Sequence, residues 1–185
     1  MSTYPTTPTG QHAGYPMAAA PTKPGTLWAA VVVTVLAGLS AVAYGVITLA
    51  GGVELAREIG AKAVSIVTGE SVEAILAEGG SFLEAATTVA QGTLEVRAYL
   101  LIVPGALLLL FGLLMGKAST AVRVLATIAA AFTLLFGGIV GLDSEAATTI
   151  MSISSWLAAL GAIACIPLMW LSPNGRYAKA LKQQA

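Results

Sequence analysis

Residues 121–142 read AVRVLATIAAAFTLLFGGIVGL, a run with a single charged side chain, Arg123, near its start. An α-helix rises about 1.5 Å per residue, so this run is long enough to cross a hydrocarbon layer of about 30 Å. Three further runs, residues 27–49, 99–115 and 150–171, contain no Asp, Glu, Lys or Arg. Open sheets cannot span lipid, and a barrel would show alternating segments of about 10 residues. The sequence therefore predicts an all-α fold, a four-helix bundle that spans the membrane.

The composition of the whole chain favours the same class of protein. The 185 residues are 57% hydrophobic and 10% charged, whereas soluble domains carry about 25% charged residues. A soluble domain of this size would still expose about 30% of its surface, so it could not hide this much apolar area. The composition also excludes disorder for most of the chain.

Basic residues are concentrated on one side of the predicted topology. The other side carries residues 53–96, with seven glutamates, and the turn at residues 143–145. Because Lys and Arg favour the cytoplasmic side, we predict a multi-pass protein of the cell (inner) membrane with both termini in the cytoplasm. The basic side has six such residues and no acid: Lys23, Lys117, Arg123, Arg176, Lys179 and Lys182.

Two tails flank the predicted membrane domain, residues 27–172. Residues 1–26 are rich in Pro, Thr and Gly and lack apolar periodicity, which predicts a disordered cytoplasmic tail. Residues 173–185 form a basic cytoplasmic tail suited to anionic headgroups. Lys23, the run from Trp28 and Ala41-Val42-Ala43 also resemble a signal peptide with its cleavage site, but the run continues to Leu49, which favours a retained span.

Residues 53–96 have the periodicity of two or three amphipathic helices outside the membrane. Gly69 is a predicted helix stop, Ser81 and Glu84 form a capping-box pattern, and Thr93 is a candidate cap for the second span. These helices would lie on the bilayer, cover their own bundle, or dock another membrane or envelope protein. The candidate partner face is Val72, Ile75, Leu76, Phe82 and Leu83.

Small residues recur at helical spacing inside the spans. Such residues let membrane helices approach closely, within one bundle or between copies of a chain. Pro104 and Pro167 interrupt two spans, as residues do in some transporters, although no charged partner lies in mid-span. The candidate packing residues are Gly112, Gly116, Gly137, Gly141, Ala41 and Gly45.

The usual residues for catalysis or metal binding are missing. His12 is the only histidine and Cys165 the only cysteine, so one chain cannot supply a two-His or two-Cys metal site or a Ser-His-Asp triad. We read Asp143, Ser144 and Glu145 as the cap and first turn of the fourth span, where negative charge is favourable. We therefore predict no enzymatic activity, no cofactor and, since the net charge is zero, no nucleic-acid partner.

Three features of the composition can be compared with known groups of proteins. They are the tail ending in Pro21-Thr22-Lys23-Pro24-Gly25, the Ala/Val/Leu/Gly-rich spans and the basic end at Ser172-Pro173-Asn174-Gly175-Arg176. In these features the chain resembles small multi-pass membrane proteins of unknown function from high-GC actinobacteria. The resemblance contains no diagnostic motif and implies no activity. Our leading hypothesis is an accessory or scaffolding subunit that binds a larger assembly through residues 53–96. The alternative is a small-solute channel or transporter that acts as a homo-oligomer.

Overall fold

The computed structural model describes residues 22–117, 119–143 and 148–184. Its helices are α1 (Gly25–Thr68), α2 (Val72–Glu78), α3 (Ser81–Leu114), α4 (Thr120–Leu142), α5 (Thr149–Trp170) and α6 (Ser172–Gln184), with a 3₁₀ turn at Met115–Lys117. Within these ranges, α1, α3, α4 and α5 are long and apolar enough to cross a membrane. The predicted all-α, four-span fold is confirmed.

The four long helices form a ring in the order α1, α3, α4, α5. Helix α1 packs mainly against α3 and α5, and α4 packs against α5 and α3. Small side chains fill the centre: Ala30, Ala41 and Ala162 are completely buried. Small side chains let the helix backbones approach closely, which increases the van der Waals contact between the helices. This contact matters in lipid because the hydrophobic effect does not drive helices together there. Large apolar residues such as Leu36 and Ile128 are exposed, as suits side chains that face lipid.

Residues 53–96 differ from the predicted set of separate helices. Helix α1 continues past its apolar run to Thr68, bending at Gly52, and α3 begins at Ser81 and continues into the second span. We call residues 53–96 the extension. Residues 81–96 alone add about 24 Å at 1.5 Å per residue. The extension is therefore built mostly from the same helices that cross the membrane.

Three predicted helix ends can be compared with the structure. Gly69 ends α1 in the left-handed conformation with its N–H donating to Ser65 O at 2.8 Å, which confirms the predicted stop. The Ser81 cap is wrong, because Gly80 is the cap and Ser81 is already helical. The Thr93 cap is also wrong, because Thr93 lies inside α3 and its hydroxyl donates to Val89 O at 2.9 Å. A helix that does not stop has no free amide for Thr93 to cap.

Gly52 sets the direction in which the extension leaves the bundle. Its φ of 50° and ψ of −139° interrupt α1, and essentially only glycine adopts such a conformation without strain. We expect Gly52→Ala to lower the free energy of unfolding by about 1–3 kcal/mol, measured by thermal unfolding of the detergent-solubilised protein. Gly92→Ala is the control, because Gly92 is helical and a Cβ there meets nothing within 4 Å. Equal stability of the two variants would contradict the prediction.

Candidate functional site

The extension folds into a hairpin with its own small core. Ala61 and Val64 of α1 pack against Ile75 of α2 and Leu83 of α3. The α1 and α3 backbones approach closely at Gly60, where an added Cβ would lie 3.1 Å from the carbonyl carbon of Ala86. These contacts hold the extension as one packed unit rather than as three independent helices.

The hairpin core contains part of the candidate partner face. Ile75 and Leu83 are buried, and Val72 and Leu76 pack beside them. Phe82 points away from this core and is 64% exposed. Of the five residues, Phe82 is thus the one whose large side chain remains accessible to another molecule.

One side of the extension is an apolar wall. It comprises exposed side chains of α1 and α3 on the side of the hairpin that faces the ends of α4 and α5. On α1, Ile66 and Val67 continue at helical spacing from Ala63. The opposite side of α3 is polar and includes the exposed Glu84 and Thr88. The most exposed members of the apolar wall are Ile66, Val67, Phe82 and Val89.

A cleft of about 470 Å³ runs along this wall, from Phe82 down to Arg97. Residues of α1 and α3 form most of its lining, and the facing ends of α4 and α5 complete its floor. The lining is mainly apolar, and Thr93, Arg97 and Asp143 add polar groups. We call it the Arg97 cleft. Its apolar floor includes Tyr44, Leu94, Val140 and Met151.

Arg97 and Asp143 form an ion pair at the rim of the Arg97 cleft. Arg97 Nη2 of α3 donates to Asp143 Oδ2 at the carboxyl end of α4. The predicted role of Asp143 as a cap of the fourth span is wrong, because Thr148 caps α5 by accepting a hydrogen bond from Met151 N at 3.4 Å; Ser144 and Glu145 lie outside the described residues. The Asp143 side chain is 65% exposed, and exposed ion pairs contribute only about 0–1 kcal/mol to stability. The two charges can therefore be regrouped around a ligand at small cost.

A second polar cluster ties α6 to the opposite, basic end of the bundle. Asn174 is completely buried. Its Nδ2 donates to Leu168 O at 2.8 Å, and its Oδ1 accepts from Thr26 Oγ1 at 2.7 Å. Arg123 Nη2 donates to the Asn174 carbonyl at 2.7 Å, and only 5% of Arg123 is exposed. Neither the buried Arg123 nor the Asn174 junction follows from the apolar periodicity on which the span assignments rest.

The candidate packing residues mostly face neighbouring helices of the same chain. An added Cβ would lie 2.9 Å from Thr34 Cγ2 at Gly112 and 3.3 Å from Ser155 O at Gly137. Around Gly116, by contrast, an added Cβ meets nothing within 4 Å. The remaining three also have neighbours within the chain. An added Cβ would lie 2.9 Å from Ala98 O at Gly45 and 3.2 Å from the Trp156 ring at Gly141, and Ala41 packs against Gly105.

Two glycines of a close helix contact, Gly38 and Gly105, were not among the predicted packing residues. A Cβ on Gly38 would lie 2.8 Å from Gly105 O, and a Cβ on Gly105 would lie 2.7 Å from Ala41 Cβ. Their position in the middle of apolar spans could have predicted this contact. A glycine inside a helix lowers helix stability, so a mid-span glycine indicates a site where another helix packs closely.

The ionisable groups do not cluster as metal ligands do. Within residues 22–117, 119–143 and 148–184, no three His, Cys, Asp or Glu side chains come together as a metal site. The Arg97–Asp143 ion pair lies beside the mainly apolar cleft and wall.

No family model matches the sequence, and comparisons with curated proteins and with solved structures found no significant match. The helices identify a multi-pass membrane protein, and a more specific role rests on the wall and the cleft themselves.

Proposed function

We propose that the protein is an accessory or scaffolding subunit of a larger membrane or envelope assembly, and that the apolar wall of the extension binds a partner protein. The observation that carries this proposal is the wall itself. Phe82 is 64% exposed, Val89 70% and Val67 79%, all beyond the membrane-spanning runs. Apolar patches of this kind in water mark interaction surfaces. The role is one of binding, without catalysis and without a cofactor.

The length of α3 argues against a wall that lies flat on the bilayer. Its 34 residues extend about 51 Å at 1.5 Å per residue, which exceeds the hydrocarbon thickness by about 20 Å. The helix runs through Arg97 without a break, so its first half continues in the direction of the bundle. The wall then stands above the membrane surface, where a protein rather than lipid is available to cover it.

The distribution of charge supports the orientation and the kind of partner. Lys23, Arg123 and the basic residues of α6 lie at one end of the bundle, which the positive-inside tendency places in the cytoplasm of a cell-membrane protein. The extension then lies outside the cytoplasm. Its rim carries Glu70, Glu73 and Glu78, so the partner should offer an apolar patch bordered by Lys or Arg.

The alternative role as a homo-oligomeric channel has less support. That hypothesis requires GxxxG faces that join copies of the chain around a pore. Gly112, Gly137 and Gly141 are instead in contact with neighbouring helices of their own chain. Gly116 has open space around it, but a single glycine is a weak basis for a pore-forming interface.

Site-specific crosslinking in membranes of the native host tests the proposal. A photoreactive residue at Val67 or Phe82, on the wall, should yield one crosslinked protein, and the same residue at Thr88, on the exposed polar side of α3, should not. Adding Val89→Ser, which removes an apolar contact from the wall, should weaken the crosslink from Phe82. Crosslinks to lipid alone, or equal crosslinking from both sides, would contradict a protein-binding wall.

A further inference from the structure

The Arg97 cleft runs along the wall, and both Phe82 and Arg97 line it. Phe82 and Arg97 are fifteen residues apart on α3, about 22 Å at 1.5 Å per residue. The cleft volume of about 470 Å³ falls in the range of about 300–1,000 Å³ that is typical of small-ligand sites. A small ligand can therefore lie at the foot of the wall beside Arg97, while Ile66 and Val67, which are exposed and outside the cleft lining, remain accessible to a protein.

The position of the Arg97 cleft indicates an amphiphilic ligand. Arg97 immediately precedes the apolar run of α3, and Asp143 immediately follows α4. Both charges thus lie where the hydrocarbon layer gives way to headgroups. Directly beside them are buried apolar side chains of the cleft floor, such as Leu94 and Met151. A ligand that fills this site needs a charged head and an apolar body.

The charges at the rim select the kind of head. Arg97 provides several guanidinium donors that suit a phosphate. A purely anionic head would also meet the carboxylate of Asp143, which contacts the same guanidinium, and like charges in contact are unfavourable. A head that carries a phosphate and a primary ammonium satisfies both residues. Its phosphate accepts from Arg97 and its ammonium donates to Asp143.

We infer that the Arg97 cleft binds a zwitterionic phospholipid of the phosphatidylethanolamine class, with its headgroup between Arg97 and Asp143 and an acyl chain against the apolar lining. The headgroup contacts with Arg97 and Asp143 are separate from the partner proposed above, although Phe82 and Val89 line both surfaces. The lipid would complete the surface at the foot of the wall and connect the extension to the bilayer.

Lipid retention by the full chain tests this inference. The protein is reconstituted in nanodiscs of equal parts phosphatidylethanolamine and phosphatidylglycerol, released into mild detergent, and examined by native mass spectrometry. We expect one phosphatidylethanolamine retained per chain in preference to phosphatidylglycerol. Arg97→Gln should weaken that retention about tenfold, the equivalent of one charge-assisted hydrogen bond. Asp143→Asn should move the preference toward phosphatidylglycerol, because a cation then remains without its carboxylate.

Two controls separate the cleft from general lipid binding. Thr93→Trp should block retention by filling the cleft, since Thr93 is exposed and lines it one turn from Arg97. Arg57→Gln removes an exposed arginine of the extension outside the cleft and should change nothing. Circular dichroism and gel filtration verify that each variant is folded.

Several outcomes would overturn the inference. They are equal retention of the two lipids by the unmodified protein, unchanged retention in Arg97→Gln or Thr93→Trp, and displacement of the lipid by water-soluble phosphoethanolamine at similar concentration. The last result would show that the head alone is recognised. If the protein retains the lipid but a photoreactive residue at Phe82 gives no protein crosslink, the result contradicts the proposed partner and leaves the lipid site supported.

Discussion

Replacement of Gly105 by leucine is expected to destabilise the bundle strongly. At Gly105 the α3 backbone meets α1, and even an added Cβ would lie 2.7 Å from Ala41 Cβ and 3.2 Å from Gly38 O. One of these neighbours is backbone, so it cannot move aside as a flexible side chain would. Overpacking usually costs about 1–3 kcal/mol, and a leucine that forces two backbones apart should reach or exceed the upper value.

The matched control for Gly105→Leu is Gly138→Leu. Gly138 also lies within a membrane-spanning helix, and an added Cβ there meets nothing within 4 Å. We expect Gly138→Leu to unfold at or above the midpoint of the unmodified protein, because leucine favours helix over glycine. Unfolding in mixed detergent and sodium dodecyl sulfate measures both variants. If Gly105→Leu were as stable as Gly138→Leu, the close α1–α3 contact would be refuted.

Substitution of Asn174 by alanine is expected to release α6 from the bundle. The change removes the donor to Leu168 O and the acceptor for Thr26 Oγ1, in a site where Asn174 is fully buried. Each buried polar group left without a partner costs about 1–3 kcal/mol. A total of about 2 kcal/mol or more would raise the population of undocked α6 about thirtyfold.

Limited trypsin digestion measures that release, because α6 contains Arg176, Lys179 and Lys182. We expect cleavage at these residues to accelerate about thirtyfold in Asn174→Ala, since cleavage tracks the open population when reclosing is fast. Gln183→Ala, an exposed amide on the same helix, serves as the control and should leave the rate unchanged. Asn174→Asp should not restore the slow rate, because it keeps an acceptor for Thr26 but loses the donor to Leu168 O and buries an ionisable carboxyl group. Similar digestion of all three variants would show that Asn174 does not hold α6.

Much of the candidate site could not be predicted from local patterns. The run Asp143-Ser144-Glu145 has the composition of a helix start, yet Asp143 ends α4 and pairs with Arg97, 46 residues earlier in the chain. Ile75 and Leu83 belong to the apolar stripe that suggested a partner face, but they face α1 and are buried. A helical stripe shows which side of a helix is apolar and leaves open which surface covers it.

The packing glycines show the same limit. Gly112 and Gly116 share one GxxxG motif, but only Gly112 has a neighbour close to its missing Cβ. A tight contact instead joins Gly38 and Gly105, two residues that share no motif. The rotation of each helix about its axis decides which small residue meets a neighbour, and that rotation is set by all the helices together.

The sequence by itself determined that the chain has four membrane-spanning helices, that basic residues collect at one end, and that a helical segment lies between the first two spans. Each of these properties depends on the number of consecutive apolar residues or on the order of charges along the chain. Such local patterns predict membrane helices well, because in lipid the backbone N–H and C=O groups of each span must form hydrogen bonds within that span. Only the tertiary structure decided that α1 and α3 extend beyond their apolar runs as a packed hairpin, that Arg97 meets Asp143, and that a cleft lies beside them. These features depend on residues far apart in the chain meeting through side-chain packing, which no local pattern contains.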